Sequence, residues 1–302
     1  MVNNISILLA TYNASHYLKI QLDSLSTQTY KNFKIFVRDD LSTDNTLEIL
    51  NSYNLEIISS TQNVGIQRNF NILLDYALQR SDDKYFMFCD QDDAWQADKI
   101  EKTLIKMKEL ESRFGEIPLL VHTDLVVVND ELQTVDKSFF HYEQINPTLN
   151  ELNRLLMQNT ITGCTVMINK KLAELAMPIP VKAIMHDRWL GLAASCFGKI
   201  GTVTEATILY RQHGYNSVGT KGFKLKYFIS NLLRKNIVSR NIVQAKAFLE
   251  IYRKSLDDET IEMLEEFSNL ESKSFWKKRK ILLKYKLLKQ GFLRNLGLVL
   301  KI

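Results

Sequence analysis

Short apolar runs alternate with helical stretches through the first half of this chain, and several of the runs end in a polar cluster. Ile5–Ala10 leads into Thr11-Tyr12-Asn13, after which Leu18, Leu22 and Leu25 recur at helical spacing. Phe33–Val37 ends at Arg38-Asp39-Asp40, with Ser42 or Asp44 as candidate caps for a helix carrying Leu47, Ile49 and Leu50 on its apolar side. Leu55–Ser59 is a third strand, and Gly65 precedes a helix through Phe70, Leu73, Leu74 and Leu78. Tyr85–Cys89 runs straight into Asp90-Gln91-Asp92-Asp93, and a helix follows over Lys99–Leu110. Strands that are apolar throughout must be covered on both faces. The pattern therefore predicts an α/β fold with a largely parallel sheet.

The second half is less regular. Leu119–Val128, Thr165–Ile168 and Val203–Leu209 are strand-prone, and Arg188–Phe197 reads as a buried helix. From about residue 222 the pattern turns helical and basic. Residues 221–302 hold 19 Lys/Arg against 8 Asp/Glu, whereas residues 1–220 hold 20 against 26, so two parts with different partners are expected. The boundary is drawn at 220: a catalytic domain over 1–220 and a basic helical region over 221–302. Residues 273–302 contain ten Lys/Arg and no acid, and Phe275, Ile281, Leu282, Tyr285, Leu288, Phe292 and Leu296 space themselves as an amphipathic helix. Attachment to an anionic membrane surface is the favoured use. Packing on the first domain is the bland alternative, and nucleic-acid binding is disfavoured because no recognition motif accompanies the charge.

The three widely spaced cysteines, Cys89, Cys164 and Cys196, form neither a disulfide framework nor a zinc pattern. Ile5–Ala10 is too short for a signal peptide, and no run reaches the roughly 18 apolar residues of a membrane span. A cytoplasmic location is expected.

In open α/β sheets, ligands bind beyond the carboxyl ends of the strands, where three of the polar clusters fall. Asp90, Asp92 and Asp93 place three carboxylates within four residues. Their mutual repulsion favours a hard divalent cation, Mg²⁺ or Mn²⁺, over the alternative of a helix-capping acidic loop. Asp39-Asp40 suits either an acceptor for a nucleobase imide or an Asx turn with Ser42. Arg68 is a phosphate contact or a solvated helix residue. Asp187, at the start of a buried helix, is a general base or an N-cap. His213 sits in a loop, and Cys164 is read as packing.

In order and spacing, ILLATYN, VRDDLSTDNT, NVGIQRN, CDQDDAW, ITGCTVMINKKL, MHDRWLGLA and ILYRQHGYNS resemble the bacterial family-2 inverting glycosyltransferases, which have a GT-A fold. The resemblance spans about Ser6 to Gly219. It is most similar to the rhamnosyltransferase-like branch of cell-surface polysaccharide assembly. It implies a dTDP- or UDP-sugar donor and a glycan or lipid-linked acceptor. Ala10 (by its backbone) and Tyr12 would contact the base, Asp40 would read its N3–H, and Arg68 would lie near the ribose or diphosphate. Asp90 and Asp92 match the element that meets donor and metal, with His213 completing the metal shell or gripping the diphosphate. Asp187 matches the residue that deprotonates the acceptor hydroxyl. His186-Asp187 replaces the commoner Glu-Asp pair. The Gln-x-x-Arg-Trp motif of processive synthases is absent, which favours addition of one or a few sugars. Segments 130–150 and 213–222 are candidate lids. A non-catalytic sugar-binding module and a nucleotidyltransferase are the rival readings. The latter is disfavoured because Thr11-Tyr12-Asn13 stands where a glycine-rich triphosphate loop would be.

Overall fold

A computed structural model describes residues 5–213 and 238–302. Most of the candidate lid at 213–222, and the part of the ILYRQHGYNS motif beyond His213, lie outside the described residues. The expected alternation is present: β1 (Ile5–Thr11), α1 (Leu18–Ser26), β2 (Phe33–Asp39), α2 (Thr46–Asn51), β3 (Glu56–Ile58), α3 (Ile66–Arg80) and β4 (Tyr85–Cys89). A two-residue strand, β5 (Ala94–Trp95), and α4 (Lys99–Phe114) follow. Gly115, at φ 77°, ends α4 in a conformation that glycine adopts without strain. Asn45, rather than Ser42 or Asp44, occupies the N-cap of α2, although Asp44 Oδ1 accepts the Thr46 N–H at 3.0 Å.

Next come β6 (Leu119–Val128), β7 (Thr134–Asp136), α5 (Phe139–Tyr142), α6 (Leu152–Met157), β8 (Met167–Asn169), α7 (Lys170–Ala176), α8 (His186–Phe197) and β9 (Lys199–Arg211). The candidate lid at 130–150 thus contains a strand and a short helix. Ser138 Oγ and the Phe139 and Phe140 N–H groups bind it to the Asp124 carboxylate. The basic region holds α9 (Ser239–Tyr252), α10 (Asp258–Ser268), α11 (Phe275–Lys284) and α12 (Phe292–Lys301).

The strands form one sheet in the order β3-β2-β1-β4-β8-β6-β9-β5, with β7 added on β6. β3, β2, β1 and β4 are parallel. β8 runs antiparallel to β4 and β6, so the parallel expectation describes the first half and a mixed sheet the second. Alternation along each strand sorts side chains to opposite faces. Ile5, Ile7 and Leu9 of β1 and Tyr85, Met87 and Cys89 of β4 join α1 and α4 in one core. Leu8, Phe86 and Phe88 join α3, α7 and α8 in the other.

That second core also takes in the basic region. Phe248, Leu264, Leu282 and Leu298 are buried in it, and Phe248 meets Trp189 of α8 edge-on with ring centroids 5.4 Å apart. Asn241 donates to the Leu156 carbonyl at 2.6 Å, fastening α9 to α6. No helix among the described residues is long and apolar enough to cross a membrane.

Candidate active site

The sheet opens where its parallel strands end. β1 pairs with β2 as far as Thr11↔Asp39, but with β4 only to Leu9↔Cys89. Beyond Leu9 the two chains separate and the polar clusters begin. Ala10 is buried at this end of β1, whereas Tyr12 is 48% exposed at the mouth. The Tyr12 N–H donates to Gln91 Oε1 at 2.7 Å, and Gln91 Nε2 donates back to the Tyr12 carbonyl. This reciprocal clamp sets the first polar cluster against the third.

Asp40, expected to read a base, does not present its carboxylate to the crevice. It is 3% exposed, forms an ion pair with Arg38 at 2.8 Å, and accepts the backbone N–H groups of Val64 and Gly65. An imide N–H would have to displace one of these donors. Asp40 instead fixes the turn that starts α3, while Asp39 takes the Thr11 hydroxyl and both the N–H and hydroxyl of Ser42. The Asx-turn alternative therefore describes Asp39. Arg68 is exposed on the first turn of α3, with no ion pair among the described residues.

Asp90, Asp92 and Asp93 lie where expected, each with a different neighbourhood. Asp92 Oδ2 is 2.8 Å from His213 Nε2, so the structure brings these two candidates together across 121 residues. Asp90 groups instead with Asp93 and Cys164, their ligand atoms all within 4.8 Å of one another. Burial, followed by the charges of Asp92 and Asp187, pushes the Asp90 carboxyl up to about 7. Burial raises the Asp93 carboxyl as well, and its Oδ2 has no hydrogen-bond partner among the described residues. These clustered, under-compensated oxygens fit a hard divalent cation. The Cys164 thiol, which burial pushes well above its usual range, is a poor ligand for one.

Asp187 lies in the first turn of α8. Its Oδ2 accepts from Asn159 Nδ2 at 2.9 Å and its Oδ1 from the Arg188 N–H at 2.7 Å. Burial raises its carboxyl above the ordinary range, as a general base working near neutrality requires.

Four supporting residues were missed from the sequence. Asn159 holds the Asp187 carboxylate. Arg211 ties the acidic loop to the end of β9: its N–H donates to Asp93 Oδ1 and its Nε to the Asp92 carbonyl. Tyr17 lies beneath the Arg211 guanidinium, stacks on His213 with centroids 4.5 Å apart, and donates to Asp130 at 2.6 Å. Lys99 is fully buried over the Trp95 ring, and burial lowers its amine to about 8. Only Lys99 left a local signal, a cation at the first position of a helix where the dipole disfavours it. The neighbouring Asp93 carboxyl opposes that loss of charge.

His186 is packed between Phe70 and Phe88, 4% exposed, with neither ring nitrogen hydrogen-bonded among the described residues. Burial lowers its pKa from 6.5 to about 3. Its neutral form is therefore the one that folds. The stability it contributes is complete above pH 6.5 and is lost as pH falls toward 3, because the unfolded chain takes up the proton first. His186→Leu removes this term. The variant should gain about 2 kcal/mol on the parent between pH 8 and pH 5. Urea melts at the two pH values check this, and a pH-independent difference between the proteins would refute it.

The profile described as glycosyl transferase family 2 matches residues 6–175. The chain belongs to this family. It is a glycosyltransferase, and its glycosyltransferase relatives match over most of its length. It is 27% identical over 294 residues to the dTDP-rhamnosyl transferase RfbG of Shigella flexneri, covering 82% of this chain and 96% of that one. It is 28% identical over 227 residues to the putative teichuronic acid biosynthesis glycosyltransferase TuaG of Bacillus subtilis, covering 73% and 83%. Among solved structures, residues 1–349 of S. aureus TarS in complex with UDP-GlcNAc superpose with a TM-score of 0.54 at 17% identity, covering 93% of this chain and 80% of that one. That likeness shows the fold, GT-A. The family-2 profile covers the Asp40, Asp90 and Asp92 segments; Asp187 and His213 lie beyond its end.

Proposed function

We propose that this family-2 glycosyltransferase moves a hexosyl group, rhamnosyl from dTDP-rhamnose in the favoured reading, onto a glycan or lipid-linked acceptor of a cell-surface polysaccharide, with inversion. The observation that carries this reading is the pairing of one buried, oriented carboxylate, Asp187, with the acidic cluster of Asp90 and Asp92 beside His213. Tyr12 and the Ala10 backbone take the base, and Arg68 lies toward the diphosphate. Asp92, Asp90 and His213 would hold Mg²⁺ or Mn²⁺, which when bound neutralises charge developing on the leaving diphosphate. Asp187 takes the proton from the acceptor hydroxyl. That oxygen attacks the anomeric carbon from the face opposite the leaving group, one C–O bond forming as the other breaks. The burial of Asp187 limits the access of competing water to the base.

A UDP-hexose donor is the second reading. A 107-residue match at 34% identity to an Escherichia coli UDP-Glc:α-D-GlcNAc-diphosphoundecaprenol β-1,3-glucosyltransferase favours it. Purified protein offered dTDP- and UDP-sugars with Mn²⁺ or Mg²⁺ should release nucleoside diphosphate from one donor, and EDTA should stop it. Release from none, with no metal-dependent nucleotide binding, would support the non-catalytic alternative.

The same reading places the enzyme on the cytoplasmic face of a membrane. Trp276 and Phe292 are 78% and 79% exposed, and Phe275, Leu283, Leu296 and Leu300 are exposed on the same two helices. The surrounding lysines would face anionic headgroups, at about 1 kcal/mol each. Truncating 273–302 would strip Leu282, Leu287 and Leu298 out of the core, so surface substitutions are the cleaner test. Trp276→Ser with Phe292→Ser should weaken binding to anionic liposomes at least tenfold, by about 1.4 kcal/mol or more. Unchanged binding would remove the membrane assignment.

A further inference from the structure

Cations from three separate parts of the chain converge around Arg188, the residue next to Asp187. Arg188 follows it on α8, Arg240 lies in the first turn of α9, and Lys289 lies in the loop between α11 and α12, with Arg294 and Lys301 on α12. Burial and the neighbouring Arg240 both oppose the charge on Arg188, while Asp187 supports it. Burial opposes the charge on Lys289, and so do Arg188, Arg294 and Lys301. Arg294 is held by the carbonyls of Glu143 and Gln144. Among the described residues, no carboxylate forms an ion pair with Lys289 or Arg240.

The arrangement is built rather than loose. Asn295 binds both the N–H and the carbonyl of Lys289, at 2.8 and 2.7 Å. The next residue, Gln290, is locked at both ends: its N–H donates to Gln158 Oε1 at 2.8 Å and its Nε2 to the Asn146 carbonyl at 2.9 Å. Gln158 adjoins Asn159, which orients Asp187. The N-terminus of α8 itself has no side-chain cap, so its dipole adds positive potential here. Holding like charges together at a partly desolvated site is unfavourable unless an anion joins them.

We propose that Arg188, Arg240 and Lys289 form a binding site for the phosphate or diphosphate that links the acceptor sugar to its carrier. This rests on the assignment of Asp187 as the base. Asp187 is electrostatically coupled to Asp90 on the donor side and to Arg188 on this side. The donor diphosphate belongs with Asp90, Asp92 and Arg68, which leaves this second cationic site to the acceptor. A sugar whose hydroxyl meets Asp187 would present its own anomeric phosphate to the cluster. The loop bearing Lys289 joins the two helices with exposed Trp276 and Phe292, so a lipid carrier would have apolar surface nearby.

The test uses the full chain with its donor site saturated by dTDP or UDP and Mg²⁺. Geranyl diphosphate, geraniol and inorganic pyrophosphate are titrated separately and followed by calorimetry. Geranyl diphosphate should bind and geraniol should not. Lys289→Gln and Arg240→Gln should each weaken that binding about tenfold, the usual size of a lost charge-assisted contact, with nucleotide affinity unchanged. Arg240 is exposed, so its substitution tests the site without disturbing the core. Geranyl diphosphate binding that ignores both substitutions, or no binding while nucleotide still binds, overturns the proposal. Pyrophosphate binding as tightly as geranyl diphosphate would mark a free-anion site and overturn the acceptor assignment. Loss of nucleotide binding by the parent protein would instead count against the donor-site reading.

Discussion

Asp187→Asn should lower kcat by about a thousandfold while leaving donor affinity within a factor of two. The substitution keeps the side chain's size, and the amide oxygen can still accept one of the two N–H groups, from Arg188 or Asn159, that hold the carboxylate. What it loses is basicity, and a positioned general base contributes roughly 10²–10⁴ in rate. Because the base acts only once the acceptor attacks, the loss should fall on kcat rather than on donor binding. The parent enzyme should also show an acid limb in its pH–rate profile above the ordinary carboxylate range, since burial raises Asp187. Steady-state kinetics with the cognate donor settle the matter. A kcat within tenfold of the parent would remove Asp187 from the mechanism.

The second large effect is structural. Gly198 joins α8 to β9, and a Cβ there would lie 1.7 Å from the Pro118 carbonyl oxygen and 2.7 Å from its carbon. Both are backbone atoms, and that oxygen accepts the Lys199 N–H that starts the β6–β9 ladder. No side-chain rotation relieves such a contact, so the strands must part. Gly198→Ala should cost about 4 kcal/mol or more, a size reserved for a few mechanisms of this kind. For a chain this long the melting temperature should drop by about 8 °C or more, or the protein should fail to accumulate. A drop under 2 °C would show that the ladder slides to accommodate the methyl. Because α8 carries Asp187, whatever folded fraction survives should also be less active.

Much of this was legible in the chain. The first four strands and their helices were readable because both faces of each strand are covered, which leaves an apolar run between polar ends. The places of Asp90 and Asp92 after a strand and of Asp187 at a helix start were readable because apolar runs and polar clusters mark those ends. Asp40 shows the limit of that logic. Its position at a strand end was right, but the Val64 and Gly65 N–H groups that occupy it come from 24 and 25 residues away. Asn159, Arg211 and Tyr17 were hidden for the same reason. Each matters through a partner 28 to 119 residues distant, and no local pattern records such a pairing. The short β3 and β8 were shifted by a residue or two because three-residue strands have almost no periodicity to read.

The core that runs from Leu8 to Leu298 also bears on how the protein is made. A ribosome adding about 5–20 residues per second needs roughly 15–60 s to travel the 290 positions between those leucines. Throughout that interval Leu8, Phe86 and Phe88 lack part of their cover. The nascent chain therefore offers chaperones an apolar sheet face until its last helices emerge, and a premature stop in α11 would deliver a sticky fragment rather than a smaller enzyme.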